Sequence, residues 1–330
     1  MQASTRLNPF RLSLVPGHAD TRRLVGIAVA GALALSLAGC GSDDAEGAQA
    51  GAAGAGKSSL EIEGVGTVEV DEKLSEMLPA DTEEISVGTN APYPPFIDFV
   101  EEGNTEDFEG LDYDLVQAIA ARLGVAAPFS QQPFDGLVPG LKAGKYDAIV
   151  GGVTDNFERQ ATATFVDYSA SGTGIAVATG NPEGIATLED LCGRVVAAQK
   201  ASKQVELLAT FSDESCSEPI EVTEYPQNTD AVQALLAGKA DAIAATRVNL
   251  LDDAEKLVGK VEVVEDPAEP NGYQASPNGI GFNKTDTELA AAVQAALQSL
   301  MEDGTYDKIL AKHGQEAIGI EKATIDAAVD

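Results

Sequence analysis

The chain has 330 residues, 44% of them hydrophobic, enough to build one or two packed domains. Its formal net charge of −32 excludes a nucleic-acid binder, because phosphate contacts need Lys and Arg, and excludes a basic membrane-binding patch. With two His and three Cys that form no cluster, no metal-ligating set can be assembled, and neither a cofactor motif nor a catalytic set of the Ser-His-Asp or Cys-His kind is visible.

At the N-terminus, Arg6, Arg11, Arg22 and Arg23 make a positive region. Leu24 to Ala38 follows, apolar but shorter than the roughly 20 residues a membrane-spanning helix needs. Leu37-Ala38-Gly39-Cys40 then resembles the lipobox of bacterial lipoproteins. That resemblance implies a signal peptide over 1–40, lipidation of Cys40 and an extracytoplasmic protein anchored to the membrane. Residues 41–57 are rich in Gly and Ala and read as a flexible tether.

The body alternates strand and helix patterns. A short strand is expected at Ile85-Ser86-Val87-Gly88. A helix is expected from Asp112, which can cap it, to Leu123, with Leu115, Ile119 and Leu123 on one face and Gly124 ending it. Tyr146 to Val150 reads as a strand. Cys192 and Cys216 remain after Cys40 is lipidated, and in an exported chain they are expected to pair rather than to stay buried thiols. Closing that loop is worth about 3 kcal/mol on the chain-entropy argument. Thr287 to Met301 reads as a longer helix, with Leu289, Val293, Leu297 and Leu300 on one side. Strands separated by helices predict an α/β fold with largely parallel sheets.

An internal repeat organises the body. Val138-Pro-Gly-Leu-Lys-Ala-Gly-Lys-Tyr-Asp-Ala-Ile149 matches Val232-Gln-Ala-Leu-Leu-Ala-Gly-Lys-Ala-Asp-Ala-Ile243 at a constant offset. Each copy reads as helix, Gly-Lys turn, strand, so two similar lobes are expected. Ligands of open α/β sheets sit beyond the carboxyl ends of strands. Gly151 to Thr154 and Ala245 to Arg247 are therefore the segments expected to face a shared cleft.

Several motifs in order then resemble one family. They are Tyr93-Pro-Pro-Phe96, Gly110-Leu-Asp-Tyr-Asp114, Gly144-Lys-Tyr-Asp-Ala-Ile149, Glu158-Arg159-Gln160, Phe165-Val-Asp-Tyr168, Gly279-Ile-Gly-Phe282 and Asp303-Gly-Thr-Tyr306. Over about 70–315 the chain resembles the polar-amino-acid family of bacterial solute-binding proteins, family 3. The resemblance implies a two-lobed, periplasmic-binding-protein-like (type II) fold with two hinge strands, near Gly172 to Ala176 and Ser276 to Gly281. The first lobe is expected over 58–174 and 277–330, the second over 175–276. It implies capture of an amino acid or similar small carboxylate by hinge closure, and delivery to an ABC transporter permease, with no enzymatic step and no cofactor.

The resemblance also implies contacts. Arg159 aligns with the arginine that grips the ligand carboxylate, a task suited to a planar guanidinium. Thr154 and Gly152 align with a hydroxyl and a backbone contact, Tyr93 and Phe134 with aromatics that sandwich the ligand side chain. Ser202 and Lys203 are expected to present backbone N–H groups at a helix start, where anions bind well. Asn90, Gln199 and Thr246 complete the expected set. Three positions depart from the family pattern. Thr246 stands where an Asp usually meets the ligand ammonium, so either another acid such as Asp155 substitutes or the ligand lacks that group; Arg247 beside it fits the second case. Asn90 replaces an Asp common in binders of basic amino acids. Lys200-Ala201-Ser202-Lys203 lacks the usual Gly and Thr. The rival readings are a dehydratase-like enzyme on this fold and a ligand-sensing surface lipoprotein.

Overall fold

The computed structural model describes residues 59–101 and 103–329, all within one compact unit, Gly51–Asp330. The expected signal peptide, Cys40 and the tether lie outside the described residues.

A ten-stranded mixed sheet runs through the molecule, in two halves of the same plan. In the first lobe, Val87–Thr89 lies between Phe129–Gln131 and Ala148–Val150, all parallel. In the second, Val195–Gln199 lies between Glu221–Tyr225 and Ala242–Thr246, again parallel. In each lobe the first strand thus sits in the middle, with the second on one side and the third on the other. The crevice opens at the carboxyl ends of the first and third strands, where the chain leaves the sheet in opposite directions.

The repeat occupies equivalent places in the two halves. Its helices are Leu137–Lys142 and Asn228–Leu236, its strands Ala148–Val150 and Ala242–Thr246. The turn glycines Gly144 and Gly238 have φ of 68° and 67°, a left-handed conformation that a side chain disfavours. The following aspartates anchor the strand next door: Ser86 N–H donates to Asp147 at 2.8 Å, and Val195 N–H to Asp241 at 2.9 Å. One sequence pattern therefore produces one local solution twice.

Two long strands join the lobes. Ala163–Ala178 and Tyr273–Asn283 run antiparallel, from Asn283 opposite Ala163 to Tyr273 opposite Thr173. The first continues into the second lobe against Ala242–Thr246, and the second flanks Ala148–Val150 in the first lobe. The expected hinge residues lie within these strands. Small residues are needed there: a Cβ on Gly172 would stand 2.4 Å from the Gly272 carbonyl, backbone that cannot step aside. The terminal strand Gly319–Ile325 pairs with the first hinge strand. At the other end of the chain, the hairpin Ser59–Ile62 and Gly66–Glu69 buries Ile62, Val65 and Val68 in the first lobe's core.

Several element boundaries differ from expectation. The helix is Leu111–Leu123, with Gly110 as its N-cap residue rather than Asp112. Asp112 lies inside the first turn, fully buried, and accepts the Gly152 N–H at 2.8 Å. The first strand begins at Val87, because Ile85 donates its N–H to Ala126 before the ladder starts. The strand expected from Tyr146 begins at Ala148; the Tyr146 hydroxyl donates to Leu137 O at 2.8 Å, tying the chain to the preceding helix. The long helix is Thr287–Glu302. Cys192 and Cys216 are bridged, with Cα atoms 5.4 Å apart, so the disulfide fastens the C-terminal end of the helix Lys203–Ser215.

Candidate functional site

The strand ends of both lobes meet across the interlobe cleft. Nine of the ten expected residues line one small cavity there: Tyr93, Phe134, Gly152, Thr154, Arg159, Gln199, Ser202, Lys203 and Thr246. Asn90 stands one step behind, buried, donating to Gln132 O at 2.9 Å and accepting from Gln199 Nε2 at 2.8 Å. The cavity measures about 10 Å³, space for a water molecule and far less than an amino acid. A larger groove of about 550 Å³ lies on the outer side of Phe134, Arg159, Ser202 and Lys203. The two spaces share Phe134, Arg159, Ser202 and Lys203 as lining.

Arg159 joins the lobes. It lies in the short helix Phe157–Gln160, capped by the Asn156 side chain. Its guanidinium donates to Thr154 O at 2.8 Å in the first lobe and to Ala201 O at 3.1 Å in the second. It rests over the Phe134 ring, 5.4 Å from the centroid. No ion pair to Arg159 forms among the described residues. Burial lowers its pKa to about 10, opposed by the more distant charges of Glu158, Glu206 and Asp155, so it remains a cation at neutral pH. A half-buried guanidinium bonded only to neutral acceptors is well suited to a carboxylate.

The second lobe contributes a helix N-terminus. Ser202 precedes the helix Lys203–Ser215, with its own N–H bonded to Gln199 O at 3.2 Å. Its hydroxyl is buried and has no hydrogen-bond partner among the described residues. The preceding Ala201 has φ of 59°, a strained value for a residue with a side chain, and this conformation turns its carbonyl to Arg159. Gln204 also lines the cavity and was not among the expected residues. It is buried and donates to Thr173 Oγ1 at 3.2 Å, which links the helix to the first hinge strand. Its only trace in the sequence is its place in the first turn after Ser202.

Tyr93 and Thr246 form a direct bridge between lobes. The Tyr93 oxygen accepts the Thr246 N–H at 3.1 Å, and its hydroxyl donates to Thr246 Oγ1 at 2.8 Å. Burial pushes the Tyr93 phenol up to about 12, so it stays protonated. Its ring stacks on Phe96 at 6.0 Å, whereas Phe134 lies beneath Arg159. A further interlobe bond runs from Asn249 Nδ2 to Pro94 O at 2.6 Å.

Two sequence expectations are corrected. Asp155 does not face the cavity: it is fully buried on the other side of the strand end, both carboxyl oxygens accepting from Gln160 Nε2. Successive residues of an extended segment point to opposite sides, so Thr154 and Asp155 cannot both face the cleft. Arg247 also points away, paired with Glu265 at 2.9 Å and donating to Pro270 O at 3.1 Å. As the first residue of the helix Arg247–Lys256, it follows the helix surface and not the strand end.

A two-lobed α/β fold hinged on two strands, with strand ends, a helix N-terminus and an arginine converging between the lobes, is the architecture of a solute-binding protein. Residues 85–316 match the bacterial extracellular solute-binding proteins, family 3, and the chain belongs to that family. It is 32% identical over 248 residues to the arginine-binding protein ArgT of Corynebacterium glutamicum, covering 73% of this chain and 78% of that one. It is also 32% identical to the lysine/arginine/ornithine-binding periplasmic protein of Escherichia coli, over 70% of this chain and 87% of that one. Among solved structures, an ancestral arginine-binding protein bound to arginine superposes with a TM-score of 0.61 at 31% identity, over 70% of this chain and 98% of that one. An ancestral amino acid-binding protein that is a precursor of cyclohexadienyl dehydratase superposes with a TM-score of 0.60 at 30% identity, over 73% of this chain and 99% of that one. The named relatives in sequence are thus binding proteins.

Proposed function

We propose that the protein is an extracytoplasmic solute-binding lipoprotein that captures a small carboxylate, an amino acid or a close analogue, and delivers it to an ABC importer. The observation that carries the reading is Arg159: a half-buried cation with no acidic partner among the described residues, bonded to both lobes at the cleft. Ligand would enter with the lobes apart, its carboxylate would meet Arg159 and the helix N-terminus at Ser202 and Lys203, and closure would bring Thr246 and Gln199 over it. The closed shape is what a permease would recognise. The relatives named for arginine, lysine and histidine support an amino acid as the general type, while the neutral Asn90 argues against a basic side chain.

The lipid anchor rests on Leu37-Ala38-Gly39-Cys40 and the Gly/Ala-rich stretch after it. Cys40→Ala should move the protein from the membrane fraction to the soluble fraction; unchanged partition would remove the anchor from the account. Binding is tested by a thermal-shift screen of amino acids and their analogues. Ligand at a hundredfold its Kd should stabilise the fold by about 2.7 kcal/mol, and Arg159→Ala should abolish the shift. A shift that survives Arg159→Ala would overturn the assignment of the site.

A further inference from the structure

We infer that the α-substituent of the ligand is a hydrogen-bond acceptor and not an ammonium, so that the protein binds a 2-oxo or 2-hydroxy acid. This rests on the carboxylate-binding reading above and narrows its substrate class.

Among the described residues, Arg159 and Lys203 line the inner cavity and no carboxylate does; the Lys203 ammonium is directed to Glu206. The acids around it do not line it: Glu158 and Asp135 line the outer groove, and Asp253, whose charge acts on Tyr93, lines neither space. Asp155 is turned to Gln160. Asp112 lies behind Gly152 and accepts its N–H. Glu206 faces the outer groove, 3.5 Å from Lys203 Nζ. The carbonyls of Thr154 and Ala201 each already accept from Arg159. An ammonium enclosed here would have no carboxylate partner and would lie beside the like charge of Arg159, an arrangement that weakens binding. A carboxylate without an ammonium has the opposite fit, because Arg159 compensates its charge and the helix N-terminus adds to the positive potential.

The hydrogen bonds are compatible with that fit. The Tyr93 oxygen accepts the Thr246 N–H, which leaves the Tyr93 proton to be donated to Thr246 Oγ1. With one lone pair so engaged, Thr246 keeps its hydroxyl proton and a second lone pair. The buried Ser202 hydroxyl has no partner among the described residues. Both hydroxyls can donate to a keto or hydroxyl oxygen and can also accept from an ammonium, so the charge of the cavity lining, and not its hydrogen bonds, sets the preference.

The test is calorimetric titration of the protein with pairs differing only at the α-carbon: pyruvate and alanine, 2-oxoglutarate and glutamate, 4-methyl-2-oxopentanoate and leucine, and the 2-oxo analogue of arginine with arginine. At least one oxo acid should bind about 100-fold tighter than its amino-acid partner. Thr246→Asp should reverse that preference by supplying the missing charge. An amino acid bound as tightly as its oxo acid, or more tightly, overturns this inference and leaves the binding reading standing. Failure of both series to bind folded protein at millimolar concentration overturns the binding reading and this inference with it.

Discussion

At the residue scale the site depends on few atoms. Arg159 was legible because a motif surrounds it, and the fold explains why it matters: its guanidinium lines the cavity and bonds to both lobes. Gln204, Asp155 and Arg247 were not legible, because chain position does not say which way a side chain points when strand passes into loop or helix. The sequence difference at Ala201 has a visible consequence in its left-handed backbone. Ala201→Gly should therefore stabilise the protein by about 1 kcal/mol in denaturant unfolding, since a side chain is disfavoured at that φ. A loss of stability would mean that the Ala201 methyl makes contacts that outweigh the strain.

At the element scale the hinge and the disulfide give separate tests. Gly172→Ala pushes a Cβ against the Gly272 carbonyl, and the resulting displacement should cost about 1–3 kcal/mol. The two hinge segments were expected from the family resemblance, but that close approach was not, because Gly172 and Gly272 are distant in sequence. Replacing both Cys192 and Cys216 by Ser should lower stability by about 2–4 kcal/mol, the usual value for a bridge closing a loop of this size.

The first hinge strand also carries Asp167, fully buried, which holds the terminal segment by accepting from Thr324 Oγ1 and the Ala327 N–H. Burial, with the nearby charges of Asp155 and Asp326, raises its carboxyl from 3.8 to about 7. The folded state therefore keeps a proton that the unfolded state releases, and this contribution to stability falls as pH rises from about 4 to about 7. Asp167→Asn removes that dependence. Relative to wild type, it should gain at least about 1 kcal/mol between pH 4 and pH 8, read from thermal unfolding in the two buffers. A difference that does not change with pH would show that Asp167 is ionised throughout.

At the scale of the whole molecule, duplication was the most readable feature. The matching segments 138–149 and 232–243 implied two lobes, and the parallel halves of the sheet place those segments equivalently. The closed state was not readable, since it rests on pairs such as Tyr93 with Thr246 and Asn249 with Pro94, made between distant residues. Tyr93→Phe removes one such bridge. At about 1 kcal/mol for its hydrogen bonds, the variant should shift roughly fivefold toward the open form, seen as a larger radius of gyration in solution scattering. An unchanged radius would mean that the other contacts suffice to keep the lobes together.

The central claim is capture of a carboxylate on Arg159 between closing lobes. A crystal structure of the protein with its tightest-binding carboxylate tests it most directly. The account predicts both carboxylate oxygens within about 3 Å of the Arg159 guanidinium, with the Ser202 segment and Thr246 closing from the second lobe. A ligand held by one lobe alone, or in the outer groove without contact to Arg159, would contradict it.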